Sequence, residues 1–242
     1  MMNRMEARDV EGPFPDWGQE QPRGPGFGAR AWRLASLFGP PAVVLLLLIP
    51  AGVPPLVVAG LVLVYAAAAA TWVASQGARA LRAVGAREPR AGELERLDNL
   101  IGGLSGDLGI APPVLLVTDE QGPNALVAKR SGYAVVVTAD IRDLSRTELE
   151  AILAHCLVRI AARRVGAAQT GLAMGRLGAG LGGLTGAADD VVTASVTRYP
   201  PALASAIEKC EVRSGSLAPL WFVAQGPSHV PARDRISVLN DL

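Results

Sequence analysis

The sequence predicts an α+β protein, in which an N-terminal transmembrane helical hairpin precedes a domain of helices and a small sheet. One observation is a run of 45 uncharged residues at 34–78. The other is that helical and strand-like hydrophobic periods alternate from residue 91 onwards. The predicted divisions are a disordered cytoplasmic tail at 1–33, the hairpin at 34–78 and the domain at 79–242.

The composition excludes several classes of protein. The 242 residues include 23 basic and 22 acidic ones, so the net charge of +1 excludes a nucleic-acid-coating protein, and no nucleic-acid partner is predicted. Two cysteines are too few for a disulfide scaffold. The mean hydropathy of +0.30 is high for a soluble domain. An Arg-, Ala- and Gly-rich chain with only two lysines is typical of a GC-rich bacterial genome.

The uncharged run is long enough for two membrane spans, because about 20 apolar residues cross the bilayer core. The spans are predicted at 36–49 and 56–73, with a turn rich in Pro and Gly at 50–55. Trp72 would lie at the interface, which suits an indole. A buried hairpin of a soluble protein is the alternative. A cleaved signal peptide does not fit, because the run begins 33 residues into the chain and continues too long.

Arginines on both sides of the hairpin predict its orientation. They precede the first span and follow the second, whereas the connecting turn carries no charge. The positive-inside rule then places both termini in the cytoplasm. The prediction is a multi-pass protein of the bacterial inner membrane, with the lipid bilayer as a partner and both cysteines as free thiols.

The domain is predicted to contain short strands between helices. A helical period begins at Glu93, a buried strand follows at 113–118, and strands at 126–129 and 133–138 pair around a turn. Ser145 and Glu148 form a capping-box pattern, and the helix that it starts is predicted to run to Arg164. The glycine-rich segment 166–186 is predicted as a loop or loosely packed helix, with a third span as the alternative. Further helices are predicted at 202–209 and 234–242.

Four local patterns in this domain follow one another in a recognisable order. They are Pro123-Asn124-Ala125 before a strand, the strand at 133–138, the helix start at 144–155 that ends in Ala154-His155, and His229-Val230-Pro231 followed by Arg235-Ile236. In this order they resemble the HtpX-like family of membrane zinc metallopeptidases, which includes the CAAX prenyl proteases. The resemblance implies a zincin-like (gluzincin) fold and proteolysis at a membrane as the family's activity.

The chain departs from the family at the chemistry. The family has H-E-x-x-H on this helix, where two His bind zinc and the Glu activates the metal-bound water. Here the five residues are His155-Cys156-Leu157-Val158-Arg159. Cys156 therefore occupies the general-base position and Arg159 the second ligand position. Alignment of the following segment puts Gly186 at the third ligand position and Asp190 at the position of a supporting carboxylate.

Arg159 has two predicted environments. Its guanidinium could replace the missing cation and pair with Asp190 or Asp189, or it could belong to a solvated basic group with Arg163 and Arg164. His155 is expected to be a hydrogen-bonded core residue, the only remaining zinc ligand, and Cys156 a small buried one. One ligand of three cannot hold a catalytic zinc, so no cofactor is expected.

The function predicted from these residues is that of a membrane-anchored pseudopeptidase with a peptide-binding, regulatory or scaffolding role. Its strand at 133–138 is predicted to be a peptide-binding edge, with Tyr133, Val135 and Val137 on it and a peptide or a membrane protein as partner. The alternative is an active zinc metalloendopeptidase with substituted ligands, or a Cys–His hydrolase. A third hypothesis is a membrane structural protein that is not a peptidase homologue.

Overall fold

The computed structural model describes residues 35, 39, 41–43, 46–48, 50–175, 186–226 and 229–242. The predicted tail at 1–33, most of the first predicted span and residues 176–185 of the glycine-rich segment lie outside these residues.

The described chain contains seven α-helices and three strands between residues 55 and 240. The helices are α1 (Pro55–Ala83), α2 (Glu95–Asp107), α3 (Arg146–Ala161), α4 (Arg164–Ala173), α5 (Ala187–Thr197), α6 (Pro200–Lys209) and α7 (Ala232–Asn240). The strands are β1 (Val114–Thr118), β2 (Ala125–Lys129) and β3 (Tyr133–Thr138). Short 3₁₀ helices lie at Ala139–Asp143 and Ala218–Leu220. The predicted mixture of helices and a small sheet is therefore confirmed.

Helix α1 is the one candidate membrane-spanning helix among the described residues. Its 29 residues give a length of roughly 44 Å, which exceeds the hydrocarbon core of a bilayer. Large apolar side chains such as Leu56 and Leu63 are exposed along its first half. The helix extends ten residues beyond the predicted span, to Ala83, because its last turns pack on the domain.

The sheet has the strand order β1-β3-β2, with β1 parallel and β2 antiparallel to β3. Val135 of the central strand pairs with Leu115 on one side and Val127 on the other. The prediction that residues 133–138 form a peptide-binding edge is therefore wrong, because both backbone edges of β3 are already used. Its uninterrupted apolar sequence is that of a strand covered on both faces.

Two layers cover the sheet. On one face, Val127, Val135 and Val137 pack with buried side chains of α2, α3, α6 and α7. On the other, Leu126 and Val136 pack with the end of α1, with α4 and with the segment 218–224. Helix α3 thus lies in the larger core, between the sheet and the later helices.

Helix α3 begins at the predicted capping box, in which the Ser145 hydroxyl accepts from the Glu148 N–H and the Glu148 carboxylate accepts from the Ser145 N–H. Its predicted continuation to Arg164 is wrong. The helix ends at Ala161, because Arg163 adopts a left-handed conformation with φ of 56° and the chain then turns into α4. The first part of the glycine-rich segment is therefore helical and packed against α1.

Candidate functional site

Helix α3 carries His155, Cys156 and Arg159 into the interior of the domain. Their exposed fractions are 2%, 1% and 2%. The burial extends around the helix because the sheet, α5 and α6 contact it from different sides. A side chain at any of these positions must therefore find its polar partners inside the protein.

Asp190, from the first turn of α5, is the carboxylate at the centre of the site. Its Oδ1 lies 3.1 Å from His155 Nδ1, which places the two side chains in contact. The guanidinium of Arg235, from α7, donates to both carboxylate oxygens at 2.7 Å. Three separate segments, each distant from the others in sequence, thus converge on one buried ion pair.

The electrostatics of this cluster favour an ionised aspartate and a neutral histidine. Burial would raise the pKa of Asp190, but the hydrogen bonds from Arg235 and the nearby His155 outweigh it and lower that pKa. Desolvation lowers the pKa of His155, although Asp190 opposes the shift. Arg235 is thus the cation that compensates the buried charge of Asp190.

Arg235 and His155 also share a contact with Phe222. The Arg235 Nη1 donates to the Phe222 carbonyl at 2.8 Å, and its guanidinium carbon lies 5.2 Å from the centre of the Phe222 ring. The His155 ring meets that ring edge-on, with 4.9 Å between centres. The aromatic ring therefore covers the cluster from the side of the segment that follows the 3₁₀ helix at Ala218–Leu220.

Gly186, which was predicted at the third ligand position, offers neither a ligand atom nor room for one. Its φ of +123° lies in a region that side chains other than glycine rarely adopt. A Cβ placed there would lie 3.0 Å from the Arg235 Cδ and 3.1 Å from its Nε. The side chain of Arg235 thus occupies the space into which a glutamate at 186 would point.

Arg159 uses neither of its two predicted environments. It is buried, so it is not part of a solvated basic group, and it forms no ion pair with Asp189 or Asp190 among the described contacts. Its guanidinium instead donates to the carbonyl of Leu220 at 3.2 Å, to that of Trp221 at 3.3 Å and to that of Pro219. Desolvation lowers the pKa of Arg159, against the attraction of Asp189.

Asp189 has a different partner. Its Oδ1 lies 2.9 Å from the Arg164 Nη1, at the start of α4. This ion pair joins α4 to α5 across the end of α3. Arg164, predicted as part of the solvated group, is therefore the arginine that meets the neighbouring aspartate.

Cys156 has the properties of a core residue rather than a nucleophile. Burial raises the pKa of its thiol to about 12, so the thiolate is not populated near neutrality. Cys210 is buried as well, with its pKa also raised to about 12 by burial, and both cysteines are free thiols. The chemistry of a Cys–His hydrolase, which needs a reactive thiolate, is not supplied by this pair.

The donor set does not fit a catalytic zinc ion. Within the described residues, no group of three His, Cys, Asp or Glu side chains is arranged to hold a metal. Of the ligand positions that the resemblance predicts, only His155 carries a donor, and the buried guanidinium of Arg159 stands at another. Catalytic zinc sites use three protein ligands, and an arginine repels the ion.

The outer edge of β2 is covered by the chain itself. Trp221 forms an antiparallel bridge with Leu126, and the Phe222 N–H donates to the Ala125 carbonyl at 2.7 Å. At the other end of the strand, the Gln169 side chain donates to the Lys129 carbonyl at 2.8 Å. The arginines that hold 219–222 therefore also hold this covering segment against the sheet.

Sequence reasoning missed two features of the site. It treated Arg235 as part of a family pattern, not as the partner of Asp190, and it gave the carbonyls of 219–221 no role. The signal for Arg235 was present in its place beside Ile236 near the chain end. The carbonyl contacts of Arg159 have no signal in the sequence, because they depend on how segments about 60 residues apart pack.

Comparison with known proteins gives the chain its relatives. It is 40% identical over 94 residues to a protein named protease HtpX homolog from Halobacterium salinarum, a stretch that covers 38% of this chain and 32% of that protein. Over that stretch, this chain is similar to an HtpX protease. The family resemblance predicted from the four patterns is confirmed at that level.

Two further HtpX-like relatives carry the same name. The protease HtpX homolog of Dictyoglomus turgidum is 40% identical over 74 residues, 29% of this chain and 24% of that protein. The one from Dictyoglomus thermophilum is 38% identical over 78 residues, 31% of this chain and 26% of that protein. The chain thus spans about a quarter to a third of the length of these relatives. No family model and no solved structure matches it.

Proposed function

We propose that this protein is a membrane-anchored HtpX-like homologue that does not hydrolyse peptides and acts instead as a regulatory or scaffolding partner of other membrane proteins. The observation that carries the proposal is that two buried arginines fill the space where the resemblance predicts zinc ligands. Arg159 stands at the second ligand position and binds backbone carbonyls. Arg235 fills the space beside Gly186.

A zincin-like fold for the domain belongs to the same proposal. Its support is the packing of α3 against β2, with α5 crossing α3 so that Asp190 meets His155. In metal sites, a carboxylate of this kind orients a liganding histidine through its other nitrogen. In this proposal, the contact between Asp190 and His155 is retained, although the site has neither zinc nor the two other zinc ligands.

A cleavage assay tests the proposal. The full chain, purified in detergent, is incubated with casein with and without a chelator, beside an HtpX-like protein whose H-E-x-x-H is intact as the positive control. We expect no chelator-sensitive cleavage by this chain, because a buried Cys156 thiol, Arg159 and Gly186 supply neither a set of three zinc ligands nor a carboxylate base to activate water. Chelator-sensitive cleavage would overturn the proposal in favour of an active metalloendopeptidase.

A restored variant distinguishes lost ligands from a wrong alignment. The double variant Cys156→Glu with Arg159→His rebuilds the family's pentapeptide on α3 and leaves Gly186 unchanged, because Arg235 occupies the space beside it. We expect the double variant to bind zinc more tightly than the wild type, because two histidines four residues apart share one helix face. Equal zinc affinity in wild type and double variant would count against α3 as the family's zinc-binding helix.

A further inference from the structure

The acidic residues of this chain are unevenly distributed, although the net charge is only +1. No Asp or Glu occurs at 21–87, at 121–139 or at 151–188. These stretches contain α1, the β2–β3 hairpin and α4. Three elements that are separate in sequence are therefore basic or neutral along their whole length, and the fold decides whether they meet.

The sheet is oriented so that the tip of the β2–β3 hairpin points along α1 towards the apolar span. At the far end of the sheet, the Thr118 hydroxyl donates to the Val84 carbonyl, near the end of α1. At the near end, the Lys129 carbonyl lies against Gly77, where an added Cβ would come within 1.8 Å of it. Gly77 is closer than Val84 to the exposed apolar half of α1. The sheet therefore approaches that half at the end where Lys129 lies, and the turn after Lys129 extends further in the same direction.

Helix α4 reaches the same level from the other side. Its Gln169 meets Gly77, and the Ala173 carbonyl accepts from the Trp72 indole N–H at 3.1 Å. Helix α4 therefore runs antiparallel to α1 and ends beside Trp72. The Arg79 guanidinium lies 3.9 Å from the centre of the Trp72 ring, so this side chain also folds back towards the span.

The basic rim, defined as Arg79, Lys129 and Arg130, lies about one to two helical turns beyond Trp72 along α1. Gly77 follows Trp72 by five residues, or about 7.5 Å along the helix. The headgroup layer on each side of a bilayer is roughly 5–7 Å thick. All three side chains are exposed, and an aromatic ring accompanies two of them, with Lys129 Nζ 5.5 Å from the Tyr133 ring centre.

We propose that the basic rim binds the headgroups of anionic phospholipids and thereby lays the domain against the leaflet at which α1 ends. Basic groups within a Debye length of an anionic membrane surface are attracted to it. Arg79 lies near the span in sequence, as any topology signal would. Lys129 and Arg130 are about 50 residues further along and reach the surface only through the fold, so their placement argues for a lipid contact.

A depth measurement on the full chain tests the contact. Ser131, at the exposed hairpin tip, is replaced by Cys and labelled with a fluorophore; the native cysteines are buried and remain unlabelled. The protein is placed in nanodiscs of phosphatidylcholine alone or of equal parts phosphatidylcholine and phosphatidylglycerol, each with a little nitroxide-headgroup lipid as quencher. We expect stronger quenching in the anionic discs, and we expect high salt to reduce it to the level in neutral discs.

Charge reversal at the rim supplies the control. Lys129→Glu with Arg130→Glu is expected to abolish the extra quenching, whereas Arg96→Glu with Arg233→Glu, the same charge change at exposed sites on α2 and α7, is expected to keep it. Equal quenching in the two kinds of disc, or unchanged quenching after reversal at the rim, would overturn the proposal. The salt titration uses the protein without charge-reversal substitutions, so this part of the test does not depend on whether the charge-reversed variants fold.

Discussion

Arg159 is a charged side chain in the core, and its two terminal nitrogens donate to backbone carbonyls of 219–221. The segment that carries these carbonyls covers the outer edge of β2, so the guanidinium helps to hold it there. A buried charge with hydrogen-bond partners is tolerated, but removal of one partner leaves the others unsatisfied. The residue is therefore structural, and its role follows from its contacts rather than from a place in catalysis.

Arg159→Ala should lower the free energy of unfolding by about 3 kcal/mol or more, because each buried polar group left unsatisfied costs about 1–3 kcal/mol. The stability of Arg159→Lys should lie between that of the wild type and that of the alanine variant, since lysine keeps the charge but has fewer and differently directed donors. Thermal or denaturant unfolding in detergent measures the effect. Arg146→Ala, at an exposed position on the same helix, is the control, and equal stability of the Arg159 and Arg146 variants would contradict this role.

His155 makes the stability depend on pH. Burial lowers the pKa of His155 in the folded protein below its ordinary value of about 6.5, so the unfolded chain binds more protons. The stabilisation is therefore complete above pH 6.5 and is lost as the pH falls below that value. We expect the free energy of unfolding to decline on acidification from about pH 6.5.

The chain has only two histidines, so the effect can be assigned. Burial also lowers the pKa of His229, which is less deeply placed, and its contribution has the same sign. His155→Gln should remove more of the slope between pH 6.5 and 5 than His229→Gln, because His155 is the more desolvated of the two. A slope that disappears in the His229 variant alone would show that His155 is not the titrating group.

At the scale of elements, α1 and the domain are joined by close backbone packing. Gly77 lets α1 approach β2 and α4, and a Cβ there would come within 1.8 Å of the Lys129 carbonyl and 2.3 Å of the Gln169 Nε2. The Trp72 hydrogen bond to Ala173 adds a second fixed point. Helix α1, the candidate membrane span, is thus part of the domain's packing, not a tether at a distance from it.

Gly77→Ala should destabilise the protein, because α1 must move away from β2 to accommodate the methyl group. Gly60→Ala on the same helix is the matched control, since an added Cβ there meets nothing within 4 Å and alanine is the better helix former. The thermal unfolding midpoint in detergent compares them. A Gly77 variant as stable as the Gly60 variant would mean that this contact is not tight in solution.

The sequence predicted most helices and strands of the domain, but it did not predict which strands lie side by side or where α3 ends. The capping box at Ser145 and the strand periods are local signals, and the structure has both. Strand order is not local, so β3 was assigned to the edge when it is central. The end of α3 was missed because a left-handed Arg163 has no glycine or proline to indicate it.

At the scale of the whole molecule, the local features of the site could be predicted from the sequence, whereas its long-range contacts could not. The substitutions at 156, 159 and 186 could be read from one helix and one alignment, as could the burial of His155 and Cys156. The replacement contacts could not, because Asp190, Arg235 and the carbonyls of 219–221 meet only in the folded chain. Likewise, a net charge of +1 concealed a basic side at the membrane end of the domain.

Buried arginines stand where the HtpX resemblance predicts zinc ligands, and we propose that the site therefore holds no zinc. The most direct measurement is the zinc content of the full chain, purified in detergent, equilibrated with excess zinc and freed of unbound metal. We predict far less than one zinc per chain, and no change in the unfolding midpoint when a chelator is added. One zinc per chain, lost together with stability on chelation, would contradict the account.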